Sequence, residues 1–178
     1  MIKEFAFGIS NRHHFQDADA ISNWYGIDND TFVSLYDYDE YVKTYFTEHK
    51  SLSGFDGLIY MPDEFILDID GSDVLEARSK AYKLLMLLGD MKIPTKTYFS
   101  GTGFHIGIPD SAFKWRPGKN LHLRVKDELD KRGIYDYADV SVTDKTRIIR
   151  LNNTLNSKSR LWKIYVSHEE LLNLNGLG

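Results

Sequence analysis

Residues 64–73 read Glu-Phe-Ile-Leu-Asp-Ile-Asp-Gly-Ser-Asp (EFILDIDGSD), and the alternation inside them decides the fold. Side chains of an extended strand alternate across the backbone. Phe65, Leu67 and Ile69 therefore share one face, while Ile66, Asp68 and Asp70 share the other. The first face is apolar and belongs against a packed layer; the second carries two carboxylates side by side. Gly71 breaks the strand, and Asp73 with Glu76 three residues later makes a capping-box start for a helix over Val74–Leu88. Leu75, Tyr82 and Leu85 give that helix a broad apolar stripe, and Gly89 suits its end.

Downstream, Lys96–Ser100 and His105–Ile108 read as two short strands around the turn Gly101-Thr102-Gly103. Pro117 predicts the first turn of a second helix over Gly118–Lys131, which Arg132-Gly133 terminates. Three more strands are expected at Ala138–Thr143, Thr146–Leu151 and Leu161–Val166. Upstream, strand-like runs at Phe5–Ile9 and Phe32–Tyr36 flank a helix around Asp17–Trp24. This order describes an α+β fold, a helix-backed and mainly antiparallel sheet. One domain is expected over residues 1–178, with an N-terminal α/β unit to about residue 60 and a core over about 61–167. His168–Leu174 reads as a helix start that Asn-Gly-Leu-Gly ends abruptly, so residues 168–178 are expected to begin a connection to further sequence.

Composition narrows the chemistry. The 178 residues are 42% hydrophobic and 27% charged, ordinary for a globular protein. No apolar run approaches the ~20 residues of a membrane-spanning helix, and the N-terminus shows no apolar signal core. A soluble, cytoplasmic protein without a membrane partner is the expectation. The absence of cysteine excludes disulfides, thiolate zinc, iron–sulfur clusters and cysteine nucleophiles together. Any metal must take oxygen or imidazole ligands, which favours Mg2+ or Mn2+ over structural zinc. The net charge of −4 does not advertise a nucleic-acid binder, but charge is unevenly placed. Residues 28–40 carry Asp28, Asp30, Asp37, Asp39 and Glu40 without a base. Residues 145–163 carry Lys145, Arg147, Arg150, Lys158, Arg160 and Lys163 without an acid. The plain expectation is two solvated faces of opposite sign.

Three segments hold the candidate site. Asp68 and Asp70 project to one point on a strand whose back is firmly packed, and two carboxylates that close repel unless a cation lies between them. In Ser100-Gly101-Thr102-Gly103-Phe104-His105 the two glycines let backbone amides approach an anion, with a hydroxyl at one end and an imidazole at the other. Asp139 is expected on one strand face with Ser141 and Thr143, with Val140 and Val142 packing behind. On the next strand Ile148 and Arg150 share a face, and Arg147, Ile149 and Leu151 share the other, so only one arginine can reach the site without a bulge.

EFILDIDGSD, SGTGFHIGIPD and ADVSVTDKTRIIRLNNTLNSKSRLWKIYV resemble, in order and spacing, the three catalytic motifs of the archaeo-eukaryotic primase superfamily. Lys3-Glu4-Phe5-Ala6-Phe7 is also similar to the N-terminal Arg-Glu-x-x-Phe segment of primase small subunits. The resemblance implies a primase-polymerase fold with an RRM-like catalytic core. It implies that Asp68, Asp70 and Asp139 bind two catalytic Mg2+ or Mn2+ ions. Ser100, Gly101, Gly103, His105, Arg150 and Lys158 would then contact the nucleotide. The implied activity is template-directed nucleotidyl transfer that synthesises or extends primers on single-stranded DNA from nucleoside triphosphates, with a helicase or accessory replication domain as partner. A gap-filling or end-joining repair polymerase shares the same motifs. A catalytically inactive replication initiator or single-strand-binding module would share the fold. Where primases show Pro, Ser and His at alternate positions, this chain has Asn152, Thr154 and Asn156, and Asn156 supplies no charge. With no cysteine-bearing zinc element either, the resemblance points to a minimal viral, plasmid or mobile-element enzyme, intracellular in its host.

Other features are expected to be structural. His13-His14 reads as a surface pair, Tyr36-Asp37-Tyr38-Asp39 as a solvated strand end, and Trp115 as a partly buried anchor.

Overall fold

The computed structural model describes residues 1–173, so the expected chain ending at Leu174 and Asn-Gly-Leu-Gly lies outside the described residues. Strand β6 (Glu64–Ile69) behaves as its alternation demands: Phe65, Leu67 and Ile69 are wholly buried while Asp68 is only partly covered. It pairs antiparallel with β8 (Phe104–Pro109), which pairs with β7 (Lys96–Phe99), which pairs with the edge strand β12 (Ile164–Val166). Helix α2 (Val74–Asp90) packs on β8 and β6 and buries Ala77, Ala81, Leu84, Leu85 and Leu88. Leu75 and Tyr82 lie on its outer side, because the small Ala77 and Ala81 let the helix approach the sheet along their own line. Asp73 caps it by accepting from the Glu76 amide at 2.8 Å, and Glu76 accepts from the Ser72 amide rather than from the cap residue's own.

The second sheet runs β5 (Ile59–Tyr60), β4 (Asp37–Tyr38), β1 (Ile2–Phe7), β3 (Thr31–Ser34), β9 (Ile148–Arg150), with β2 (His14–Asp17) also paired to β1. Helix α1 (Tyr41–His49) follows β4, and α3 (Leu121–Lys131) precedes the segment that delivers Asp139. A two-stranded ribbon, β10 (Leu155–Asn156) and β11 (Leu161–Trp162), and a short helix α4 (His168–Leu172) complete the chain. The architecture is α+β with antiparallel sheets, as the sequence predicts. No helix of the described residues is long and apolar enough to cross a membrane.

Several expectations need correcting. Residues Ala18–Trp24 form a 3-10 helix, while Asp17 ends β2. Helix α3 begins at Leu121, not Gly118, because Gly118 is tied by paired backbone bonds to Ile59. Val140–Thr143 is a 3-10 turn rather than a strand, and Val140 is exposed. The expected strand over Leu161–Val166 is interrupted at Lys163, whose backbone bonds Asn153 and Thr154 as the chain passes from β10 to β7. The acidic and basic stretches are not separate solvated faces. β3 and β9 pair directly, setting Phe32 opposite Arg150 beside Asp30. Tyr36 and Tyr38 are wholly buried, with hydroxyls donating to the carbonyls of Thr143 and Lys145, so that segment is core. His13 is half-buried, packed on Phe46 and 3.1 Å from the buried Glu4 carboxylate that Arg12 also grips. Trp115 is the partly buried anchor expected, stacked on Phe113 and edge-on to Phe65.

Candidate active site

Register builds the site. Tyr165, Tyr98, His105 and Asp68 are successive cross-strand partners, so they form one row on the face of the β12–β7–β8–β6 sheet turned from α2. His105 Nε2 lies 3.3 Å from Asp68 Oδ1. The Asp139 amide donates to the Asp68 carbonyl at 2.8 Å, which fixes the third acid beside the first. Asp139 also caps its 3-10 turn, accepting from the Ser141 amide at 2.9 Å and the Ser141 hydroxyl at 2.7 Å. Asp139 thus stands beside Asp68 from a segment far away in sequence, and Asp70 is near enough to feel the charge of both.

Arg147 closes the group. Its Nη2 stands 3.4 Å from Asp68 Oδ2 and 3.5 Å from Asp139 Oδ2, and Nη1 donates to Ser141 Oγ at 3.1 Å. The sequence pattern gave this position to the opposite face from Arg150. The strand starts only at Ile148, so Arg147 sits in the preceding turn and escapes the alternation.

The glycine hairpin presses on both walls. The Gly103 amide donates to Ser100 Oγ at 3.1 Å, and the Ser100 amide to the Gly103 carbonyl at 2.9 Å. A Cβ on Gly103 would fall 2.6 Å from the Ile69 carbonyl oxygen and 3.0 Å from Asp70 Oδ1. Gly101, at φ +98°, would place a Cβ 2.8 Å from the Asn156 side chain. Asn156 is buried and donates to the Ser100 carbonyl at 3.2 Å, so it braces the hairpin.

Ser100, Thr102, His105, Arg147, Arg150, Asn156, Asp68 and Asp70 line a cleft of about 200 Å³ floored by Phe32 and Ile148–Arg150. Arg150 reaches it while paired with Asp30 and donating to the Leu155 carbonyl at 2.9 Å. Lys158 is exposed on the β10–β11 turn and lies outside the cleft.

Charge within the cleft is unevenly compensated. Burial works against the charged Asp68 carboxyl, but the hydrogen bond from His105, then the charges of Arg147 and Lys163, outweigh it and hold Asp68 below the usual range. Burial, then the charges of Asp68 and Asp139, push Asp70 up. Burial, then the charge of Lys163, pull His105 down to about 4. The imidazole is therefore neutral near pH 7, with its Nε2–H facing Asp68 and a buried, unpartnered Nδ1.

Lys163, which the sequence places only in the basic stretch, is itself fully enclosed. It donates to the Arg150 carbonyl at 2.7 Å, and burial brings it down to about 7. Its signal is a single cation in the otherwise apolar run Leu161–Val166.

Among the described residues, no three histidine or acidic side chains converge closely enough to hold one ion as they stand. The donor set nevertheless fits a hard divalent cation. One guanidinium nitrogen already occupies a position shared by Asp68 and Asp139, and the Asp70 carboxyl beside it forms no ion pair among the described residues, with the charges of Arg147 and Lys80 only partly offsetting those of Asp68 and Asp139.

Fold and cleft together define an α+β domain with an acidic, histidine-backed groove beside a glycine hairpin. No protein-family model matches the chain, and no curated protein matches it. Among solved structures, the polymerase domain from Mycobacterium tuberculosis Ligase D in complex with DNA is similar over 82% of this chain and 54% of that one, with a TM-score of 0.48 and 13% identity. The chain spans about half the length of that structure.

Proposed function

We propose that this chain is a template-directed nucleotidyltransferase that makes or extends primers on single-stranded DNA from nucleoside triphosphates. The observation that carries the reading is that Asp68 and Asp70 line a cleft with Ser100 and His105 of the hairpin, while Asp139 is tied to the Asp68 backbone beside them. The order of the three motifs in the sequence supports it. Asp68, Asp70 and Asp139 would hold Mg2+ or Mn2+. Such ions lower the pKa of an attacking hydroxyl and neutralise a departing pyrophosphate.

The chain's own residues supply position and charge. The Ser100 hydroxyl and the Gly101 and Thr102 amides at the tip of the turn would donate to phosphate oxygens, the Ser100 and Gly103 amides being taken up within the hairpin. Neutral His105 holds Asp68 in place and offers no competing cation. Arg150, whose Nη1 is held by Asp30 and the Leu155 carbonyl, offers phosphate only its remaining guanidinium N–H groups at the cleft floor. Lys158, exposed on its turn, reaches only a ligand that extends out of the groove. At about 200 Å³ the cleft is smaller than the roughly 300–1,000 Å³ of enclosed small-molecule pockets, which suits an open groove completed by nucleotide and strand. No protein nucleophile is required, because phosphoryl-type transfer rests on positioning and neutralisation.

Labelled-primer extension with Mg2+ or Mn2+ tests the reading. The wild type should extend and Asp70→Ala should lose at least about 100-fold, the scale on which transition-state electrostatics act. Equal extension by both proteins would remove the assignment.

A further inference from the structure

We infer that Arg147 is an internal counter-ion: it occupies the cation position between Asp68 and Asp139, and it exchanges with a divalent metal by swinging towards the phosphate side of the cleft. The inference rests on reading the three carboxylates as a metal site.

Geometry places the guanidinium where two acids share one nitrogen, at 3.4 and 3.5 Å. Those contacts are long beside the ~2.7–2.9 Å of a firm charge-assisted hydrogen bond. The Arg147 Nε is buried with no partner at all. The side chain is thus attracted but poorly satisfied where it lies. The neighbouring cations of the segment, partly or wholly buried, have partners elsewhere: Lys145 the Phe55 carbonyl, Arg150 Asp30, Lys163 the Arg150 carbonyl. The backbone at position 147 is fixed on both sides, its amide to the Asp144 carbonyl at 3.0 Å and its carbonyl to the Leu35 amide at 2.9 Å. Movement is therefore left to the side chain. Ser100 and Thr102 line the same cleft, so an anion held there lies within the cleft that Arg147 itself lines.

Competition follows from charge. A metal ion and the guanidinium cannot both sit between Asp68 and Asp139, so the arginine weakens metal binding until an anion draws it off. Before metal arrives it also keeps the acids together, which would otherwise repel. Arg147 is a positioning residue in this scheme.

Mn2+ binding to the nucleotide-free protein, followed by calorimetry, reads the competition directly. Arg147→Gln should bind Mn2+ more tightly, by roughly 10- to 100-fold, the range over which outer-shell partners alter metal affinity. Arg147→Lys, which keeps the charge but cannot span both acids and Ser141, should fall between. A purely structural arginine predicts the reverse, weaker binding on removal, and equal or weaker binding by Arg147→Gln overturns the inference. The wild type supplies a check that no variant can spoil. On titration with Mg2+ the Arg147 Nε–H resonance should shift, and a resonance that stays fixed while Mg2+ binds overturns the exchange. If Asp70→Ala binds Mn2+ as the wild type does, or no variant binds it, the metal-site reading fails and this inference with it.

Discussion

Gly103 is the residue on which the two halves of the cleft lean. The space a Cβ would need is taken by the Ile69 carbonyl oxygen at 2.6 Å and by Asp70 Oδ1 at 3.0 Å. The first of these is backbone in a paired strand and cannot yield cheaply. The sequence showed two glycines and suggested an approach to an anion; the structure adds an approach to the acidic strand itself. Such a contact joins positions 103 and 69, which no local pattern connects. Gly103→Ala should therefore cost about 1–3 kcal/mol in urea unfolding, the usual scale for a forced shift in a packed site. It should also weaken Mn2+ binding by displacing Asp70. Unchanged stability would mean that the hairpin does not press on β6.

At the scale of elements, legibility followed the length of the pattern. The six residues of β6 and the long helix α2 carry enough alternation or periodicity to be read directly, and Asp73 marks the helix start. The segment Val140-Ser141-Val142-Thr143 alternates just as a strand would, yet it forms a 3-10 turn. The deciding signal was local: Asp139 hydrogen-bonds the amide two residues on, an aspartate habit that competes with sheet pairing. Asp139 is thus a cap, and under the proposed metal-site reading it would have a second, separable duty as a metal ligand. Asp139→Asn keeps an oxygen for the Ser141 amide and should leave the unfolding midpoint nearly unchanged. Asp139→Ala removes the cap as well and should lose about 1 kcal/mol. Both variants should lose Mn2+ binding, and this split between stability and metal affinity is what measurement must show. Equal destabilisation by the two would deny the cap.

Across the whole molecule, the acidic and basic stretches that looked like opposite surfaces meet in one sheet through β3 and β9. They come together because β3 and β9 pair, a contact between positions more than a hundred residues apart that composition cannot reveal. The join that matters to the cleft is Asp30 with Arg150. Asp30 also accepts from the Ser157 amide at 3.1 Å, so it anchors the cleft floor and the start of the β10–β11 turn together. Arg150 lies over the Phe32 ring, with 13% of its side chain exposed. Asp30→Ala would leave that guanidinium largely enclosed with one carbonyl partner, at a cost of about 3 kcal/mol. Replacing both residues, Asp30→Ala with Arg150→Met, should recover part of the loss, since the stranded charge is then gone. The pH dependence has a definite sign. Burial raises the Asp30 carboxyl, but hydrogen bonds from Ser157 and Arg150 bring it below its ordinary value of 3.8. A depressed carboxyl contributes stability that is fully present above the unfolded value and lost as pH falls through the folded one. In urea titrations the gap between wild type and Asp30→Ala should hold from pH 7 to about 5 and narrow below about 4, where protonation makes the two proteins alike. A gap that persists undiminished at pH 3 would show that the bond to Arg150 is not what holds the sheet's two charged runs together.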